Sequence, residues 1–229
     1  ITSSEDTKRR VVRELGISSD RVQVVYAGVD RRLFRPRDVD PPILAKFGGS
    51  AVRHILHVGS EEPRKNLDTL FRAFAKLHAQ SHDVRLLRVG RPRYPQESAR
   101  LEGLVEQLGI QDAVYRIGNV TDDELVDFYN LADLFVLPSL HEGFGLPLAE
   151  AFACGTPVVC SNAGALPEIA GDAAIQVGPL DEEALSEAMN RLLSDRALAQ
   201  ELSRRGLARA KSFTWDRTAR EVANVYGTL

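Results

Sequence analysis

Cysteine is scarce in this chain. The 229 residues hold two, Cys154 and Cys160, both in apolar surroundings. Such a pair predicts reduced core thiols and excludes a disulfide framework. Neither the cysteines nor the five scattered histidines fall at a zinc-ligand spacing. No apolar run reaches the roughly 20 residues that a membrane span needs. With no signal peptide in view either, a cytoplasmic protein without a transmembrane segment is expected. An excess of one charge is also lacking. The formal net charge is -3, so no global basic field points to nucleic acid. Repeats and low-complexity tracts are absent. What remains, 44% hydrophobic and 27% charged residues, is the composition of a chain that buries a sizeable core. The first residue is Ile1 rather than methionine, and the expectation is a fragment or a processed chain.

Short apolar runs alternate with amphipathic stretches. The runs are His54–Gly59, Val84–Gly90, Ala113–Gly118, Leu134–Ser139, Pro157–Asn162 and Ala173–Gly178. Several are rich in Val, Ile and Leu and stop at Gly or Ser, as strands buried on both faces do. Arg85 and Arg88 interrupt the second run, which places that strand nearer an edge than the centre. Between the runs, Leu67, Leu70, Phe71, Phe74 and Leu77 share one helical face, as do Leu101, Leu104, Val105 and Leu108 ahead of Gly109. Leu125, Phe128, Tyr129 and Ala132 form a third face. Alternating βα units predict an α/β fold, a doubly wound Rossmann-like parallel sheet of about six strands with helices on both faces. Ligands of such sheets bind beyond the carboxyl ends of the strands. Further helices are predicted at about 181–194, capped by Asp181, at 196–211 and at 214–227.

The front differs. A helix from about 4 to 15 begins at Ser3 or Ser4 and stops at Gly16, a strand follows at Val22–Tyr26, and Pro36, Pro41 and Pro42 mark a linker. The piece is too small for a core of its own. The divisions expected are 1–40, a remnant and linker; 41–212, the sheet domain; and 213–229, a final helix.

Two segments carry chemistry. In GSEEPRKN, 59–66, Arg64 and Lys65 stand just before a helix begins. Cations there oppose the helix dipole, at about 0.3–1 kcal/mol each, unless an anion shares the spot; backbone N–H groups at the helix start would add donors. The readings open are a phosphate site or two solvated cations beside Glu61 and Glu62. In SLHEGFGLPLAEAFACGTPVV, 139–159, a strand ends at Ser139 and a loop with two glycines leads to Pro147, suited to a first helical position. Gly143 and Gly145 let the backbone approach a ligand, with the amides of Phe144, Gly145 and Leu146 aimed at it. Glu142 precedes this loop, and Glu150 is expected in the first helical turn. Carboxylates accept hydrogen bonds from vicinal hydroxyls, so sugar binding fits. A favourable first-turn acid and a solvated loop residue are the alternatives. The lone Asp-x-Asp run, Asp38–Val39–Asp40, sits in the Pro-rich linker and reads as solvated.

Glu142 and Glu150, within EGFGLPLAE, resemble the E-x7-E motif of family-four retaining glycosyltransferases of the GT-B fold. GSEEPRKNLDTLFRAFAKL resembles their donor-phosphate segment, and CGTPVVCSNAGALPEIAGDAA and FTWDRTAREVANVYG are similar to the same family. The resemblance runs from about residue 1 to the end. It implies one half of a GT-B enzyme that binds a nucleotide-diphosphate sugar and uses neither cofactor nor metal. Arg64 and Lys65 would hold the diphosphate, Gly59 would admit it closely, Glu150 would bind ribose and Glu142 the transferred sugar. Phe144, Gly145 and Leu146 would offer amides to sugar or phosphate oxygens, and Val120 and Arg91 would lie near the base. Arg64, Lys65 and Glu142 are thereby the residues that serve catalysis. The GALPEIAGDAA stretch looks most like mannosyltransferases using GDP-mannose, with UDP-sugars open. The same resemblance implies a missing N-terminal acceptor domain, through which peripheral membrane contact could arise, and an isolated chain that transfers little sugar. A GT-B nucleotide-sugar 2-epimerase and a non-catalytic nucleotide-sugar-binding module remain alternatives.

Overall fold

The computed structural model describes residues 1–39, 41–81 and 83–227. Among them six strands form one parallel sheet: β1 (Arg53–Val58), β2 (Val84–Val89), β3 (Val114–Ile117), β4 (Leu134–Leu137), β5 (Val158–Ser161) and β6 (Ile175–Val177). Their spatial order is β3-β2-β1-β4-β5-β6. β2 is thus one strand in from the edge, as its two arginines predicted. The order reverses between β1 and β4, and at such a switch point the loops that leave two neighbouring strands part and open a crevice.

The helices are α1 (Glu5–Leu15), α2 (Pro41–Lys46), α3 (Leu67–Gln80), α4 (Pro95–Gln107), α5 (Asp122–Leu131), α6 (Leu146–Cys154), α7 (Leu166–Ala170), α8 (Glu182–Ser194), α9 (Arg196–Ala210) and α10 (Trp215–Gly227). Strand alternation divides the core into two layers. Ile55, Leu86, Leu134, Val136 and Val159 meet Leu70, Phe74, Leu104, Leu185 and Met189 of α3, α4 and α8. Leu56, Leu87, Phe135, Leu137 and Val158 meet Phe128, Leu148, Phe152 and Ile169 of α5, α6 and α7. Each of these large apolar side chains contributes about 1.5–3 kcal/mol by leaving water. Helix ends follow the local chemistry. Ser4 accepts from Thr7 N at α1, Thr121 and Glu124 make a reciprocal box at α5, and Asp181 accepts from Ala184 N at α8.

Three expectations are corrected. Val22–Tyr26 is not a strand: it runs extended and makes a single parallel bridge, Thr2 with Val24. The run has β-forming residues, but among the described residues no second strand lies alongside to complete a ladder. Its Val22 and Val25 are buried nonetheless, and Val29 and Phe34 join the core that holds α5 and α6. The Pro41–Pro42 linker instead opens α2, because proline suits a helix start as well as a linker. Glu150 lies in the second turn of α6, not the first, because the helix begins at Leu146 rather than at Pro147 or later. In the Asp38–Val39–Asp40 run, Asp40 lies outside the described residues, as do the last two positions of 213–229.

The front segment is stitched onto the sheet domain. Tyr26 packs its ring against Phe144 and Phe213 and donates to Glu168 Oε1 at 2.7 Å. Burial, then this carboxylate, pushes the Tyr26 phenol up to about 12. The folded state therefore favours the protonated phenol. The stabilisation is complete below the ordinary value of about 10 and disappears as pH rises from 10 towards 12. Thermal melts across that window are expected to fall, and to fall less steeply in Tyr26→Phe.

Candidate functional site

β1 ends at Val58, and the chain must turn at once. Gly59 donates its N–H to Val89 O at 2.9 Å, and Gly90, at the end of β2, passes so close that a Cβ there would lie 1.9 Å from Gly59 O. The chain then makes a 3-10 turn, Pro63–Lys65, and enters α3 through Asn66, a non-glycine residue at φ 57°. The Asn66 side chain holds this turn by donating to Pro138 O at 3.0 Å, and its Oδ1 accepts from Thr69 at 2.9 Å. The loop after β1 is thereby tied to the loop after β4. A second tie runs from Leu140 N to Arg64 O, 2.7 Å.

The charged groups meet across this junction. Lys65, 6% exposed, places Nζ 2.6 Å from Glu142 Oε1, and Arg64 Nη1 lies 3.1 Å from Glu142 Oε2. Ser139 Oγ also donates to Glu142, at 2.8 Å. Arg64 Nε is engaged by Glu62, at 2.6 Å. Arg64 holds the Glu62 carboxyl below the usual carboxylate range. Glu142 is 7% exposed, so it is a buried partner of two cations and not a solvated loop residue. Burial of such a group requires this pairing, since removing one partner of a buried pair costs about 3–5 kcal/mol.

Beyond the carboxyl ends of β1, β2 and β3 lies a cavity of about 420 Å³, lined by Gly59, Arg64, Lys65, Arg91, Val120 and Leu125 among others. Five of the site residues expected from sequence thus share one cleft. Glu142 is not among the lining residues, but it is bonded to two of them. A Cβ at Gly59 would stand 3.1 Å from His57 Nε2 and 3.4 Å from the Lys65 stem, so glycine keeps that wall thin. A larger cavity, about 580 Å³, lies at the amino ends of the strands against α8 and α9. It holds none of these groups, so volume alone does not choose the site.

The glycine turn stands beside this cleft rather than in its lining. Gly145 takes φ 93° and starts α6, a conformation that L side chains rarely adopt. Phe144 turns its ring inward onto Tyr26 and Phe213, while Leu146 is 40% exposed. Among the described hydrogen bonds none takes the amide of Phe144, Gly145 or Leu146. Gly143 O accepts from Ser3 Oγ at 2.9 Å and from Thr7 Oγ1 at 3.3 Å, which fixes the turn to α1. Glu150 points towards α5, where Tyr129 Oη donates to it at 2.8 Å. Burial raises its pKa, with Tyr129 opposing the shift.

Sequence reading missed several members of this neighbourhood. His57 is buried beneath Lys65, its Nδ1–H directed at Val136 O, 3.1 Å away. Burial lowers its pKa to about 3, with repulsion from Lys65 and Arg88 acting in the same direction. Arg88, which looked like a defect in β2, is 3% exposed and pairs with buried Glu61 at 3.0 Å. Ser98 of α4 donates to the same carboxylate. In the sequence the available signal was the recurrence of polar residues inside apolar runs, at His57 and Arg88.

Residues 48–209 match the sequence family described as "Glycosyl transferases group 1". The chain is 32% identical, over its whole length, to the O-antigen chain mannosyltransferase B of Escherichia coli, and spans 60% of that protein. It is 34% identical over 99% of its length to the MMP alpha-(1->4)-mannosyltransferase of Mycolicibacterium hassiacum, spanning 53% of it. The chain thus spans little more than half the length of these relatives. Sucrose-phosphate synthase from Thermosynechococcus elongatus superposes with a TM-score of 0.85 at 30% identity, over 99% of this chain and 57% of that one. Anabaena Alr3699/HepE, solved in complex with UDP-glucose, gives a TM-score of 0.92 at 21% identity, over 100% of this chain and 63% of that one. At that identity the likeness shows the fold alone. Among the described residues no helix is long and apolar enough to cross a membrane.

Proposed function

Because the chain belongs to the group 1 glycosyltransferases, we propose that it supplies the donor half of a retaining sugar-transfer site: it binds a nucleotide-diphosphate sugar in the cleft beyond the carboxyl ends of β1, β2 and β3. A single observation carries this reading. Two cations from the loop after β1, both lining a cleft at the carboxyl ends of the strands, meet a buried carboxylate from the loop after β4 in one knot.

In this reading Arg64 and Lys65 hold the diphosphate, and Gly59 lets it approach the end of β1. Val120 and Arg91 stand at the base end. The amides of Phe144, Gly145 and Leu146 serve sugar or phosphate oxygens. The ribose falls to Glu150, a carboxylate for which the described hydrogen bonds give one donor, Tyr129; two vicinal hydroxyls would supply more of what its burial calls for. Glu142 takes the transferred sugar. As the bond from sugar C1 to the phosphate oxygen breaks, negative charge grows on the leaving diphosphate. Arg64 and Lys65, already fixed in position, stabilise that charge without a metal ion. The mannosyltransferase names of the relatives favour a mannosyl donor, GDP-mannose, over a UDP-sugar.

The acceptor we assign to a domain beyond this chain, with 1–40 and 213–229 as the parts that meet it. The span of 53–60% of the relatives supports this, as do the exposed apolar residues Leu15 of α1 and Trp215 and Tyr226 of α10.

The test is calorimetric titration of the chain with GDP, UDP, ADP and GDP-mannose and with the bare nucleosides, repeated with Arg64→Ala. The variant is expected to weaken the diphosphates roughly tenfold, through loss of a charge-assisted contact, and to leave the nucleosides unchanged. An equal loss for both removes Arg64 from the phosphate role.

A further inference from the structure

The knot that carries the donor reading is formally neutral. Arg64 and Lys65 bring two positive charges, and Glu62 and Glu142 bring two negative ones. A diphosphate offered to such a cluster gains little attraction unless a carboxylate gives way. The two carboxylates are not equivalent. Glu62 holds Arg64 by its Nε alone, from the outer side, and its side chain is 25% exposed. Glu142 holds both cations at once and its side chain is 8% exposed.

Glu142 can leave the cations only by turning its side chain. Its backbone is clamped: Ala165 N donates to Glu142 O at 3.0 Å, and a Cβ on Gly164 would stand 2.8 Å from both Glu142 N and O. Rotation about its side-chain bonds, with loss of the Ser139 contact, is enough to vacate both cations. Lys65 is 6% exposed and Asn66 pins the turn behind it, so the ammonium stays where it is.

We propose that Glu142 is a placeholder anion: the diphosphate displaces its carboxylate from Arg64 and Lys65, and only then is that carboxylate free to meet the sugar. This rests on the donor-site reading and adds to it a fixed order, phosphate first and sugar contact second. It also adds a selectivity: a ligand must carry enough negative charge to replace a carboxylate on both cations.

The experiment is titration of the whole chain with GDP, UDP and inorganic pyrophosphate, comparing wild type with Glu142→Gln. The amide keeps the shape and removes the competing charge. Affinity for all three is expected to rise about tenfold, with guanosine and uridine unchanged. This is opposite in sign to the loss expected of a residue that merely supports the site. Affinity that is unchanged or weaker in Glu142→Gln, while wild type binds, overturns the placeholder role and leaves the donor site standing. A wild type that binds none of the three overturns both. Lys65 is left without its counter-ion in Glu142→Gln, so Ser139→Ala provides a second arm that keeps the ion pair intact. It removes only the hydroxyl that holds the carboxylate back, and the same ligands are expected to bind about threefold tighter; equal or weaker binding again overturns the proposal.

Discussion

Lys65→Met is expected to weaken nucleoside diphosphate binding about a hundredfold, roughly 2.7 kcal/mol, while leaving the bare nucleosides within about twofold. The substitution keeps an unbranched stem of similar length and removes the ammonium. Two effects add. The ligand loses a charge-assisted contact in a site where Lys65 is 6% exposed and screening is weak. In addition, Glu142 loses one of its two cations and retains only Arg64, whose side chain is 44% exposed. Calorimetry against GDP, UDP and their nucleosides reads both. Comparable weakening of nucleoside and diphosphate would remove Lys65 from the phosphate role. The variant's melting temperature also reports the buried pair, and is expected to recover on adding pyrophosphate less fully than that of wild type.

Gly90→Ala is expected to have the largest effect on folding, about 3 kcal/mol or more. The added methyl would sit 1.9 Å from Gly59 O and 2.8 Å from Gly59 C. Those are backbone atoms at the end of a central strand, not the far end of a flexible side chain, so no rotamer relieves the clash. Either β1 and β2 part, with loss of the Gly59 N to Val89 O bond, or the Gly90 N to Ile117 O bond breaks. Overpacking of this kind usually costs about 1–3 kcal/mol where neighbours can yield, and more where they cannot. Urea denaturation measures it. A loss under about 1 kcal/mol would mean that the two strand ends are less tightly apposed than described.

The sheet was legible in the sequence for a simple reason. Strands buried on both faces must be largely apolar, and Val, Ile, Leu, Phe or Ala recur in each of the six runs. The helices between them showed their inner faces by period and their ends by capping residues. Val22–Tyr26 was misread because residue type shows a tendency to extend but not whether a partner strand is present. Arg88 was seen as an interruption because its partner Glu61 is 27 positions away, and nothing local marks the two as one buried pair. Within the candidate site, Arg64, Lys65 and Glu142 could be named from their loops, yet their mutual contact spans 77 or 78 residues and arises only when β1 and β4 become neighbours. Likewise Glu150 and Tyr129 come together only through the packing of α5 on α6.

The chain has a single tryptophan, and it stands where two distant stretches cross. The backbone of Gly28 passes so near Thr214 and Trp215 that a methyl on Gly28 would lie 2.3 Å from Trp215 N, while the indole-bearing residue is 53% exposed. Excitation at the red edge of protein absorbance therefore addresses one location. Emission wavelength and collisional quenching will register what happens at the root of α10, two residues from Phe213, which packs on Phe144 of the glycine turn. An optical change produced by a nucleotide then reports the junction of Gly28, the glycine turn and α10, which makes the unlabelled protein a ready gauge of whether binding is felt there.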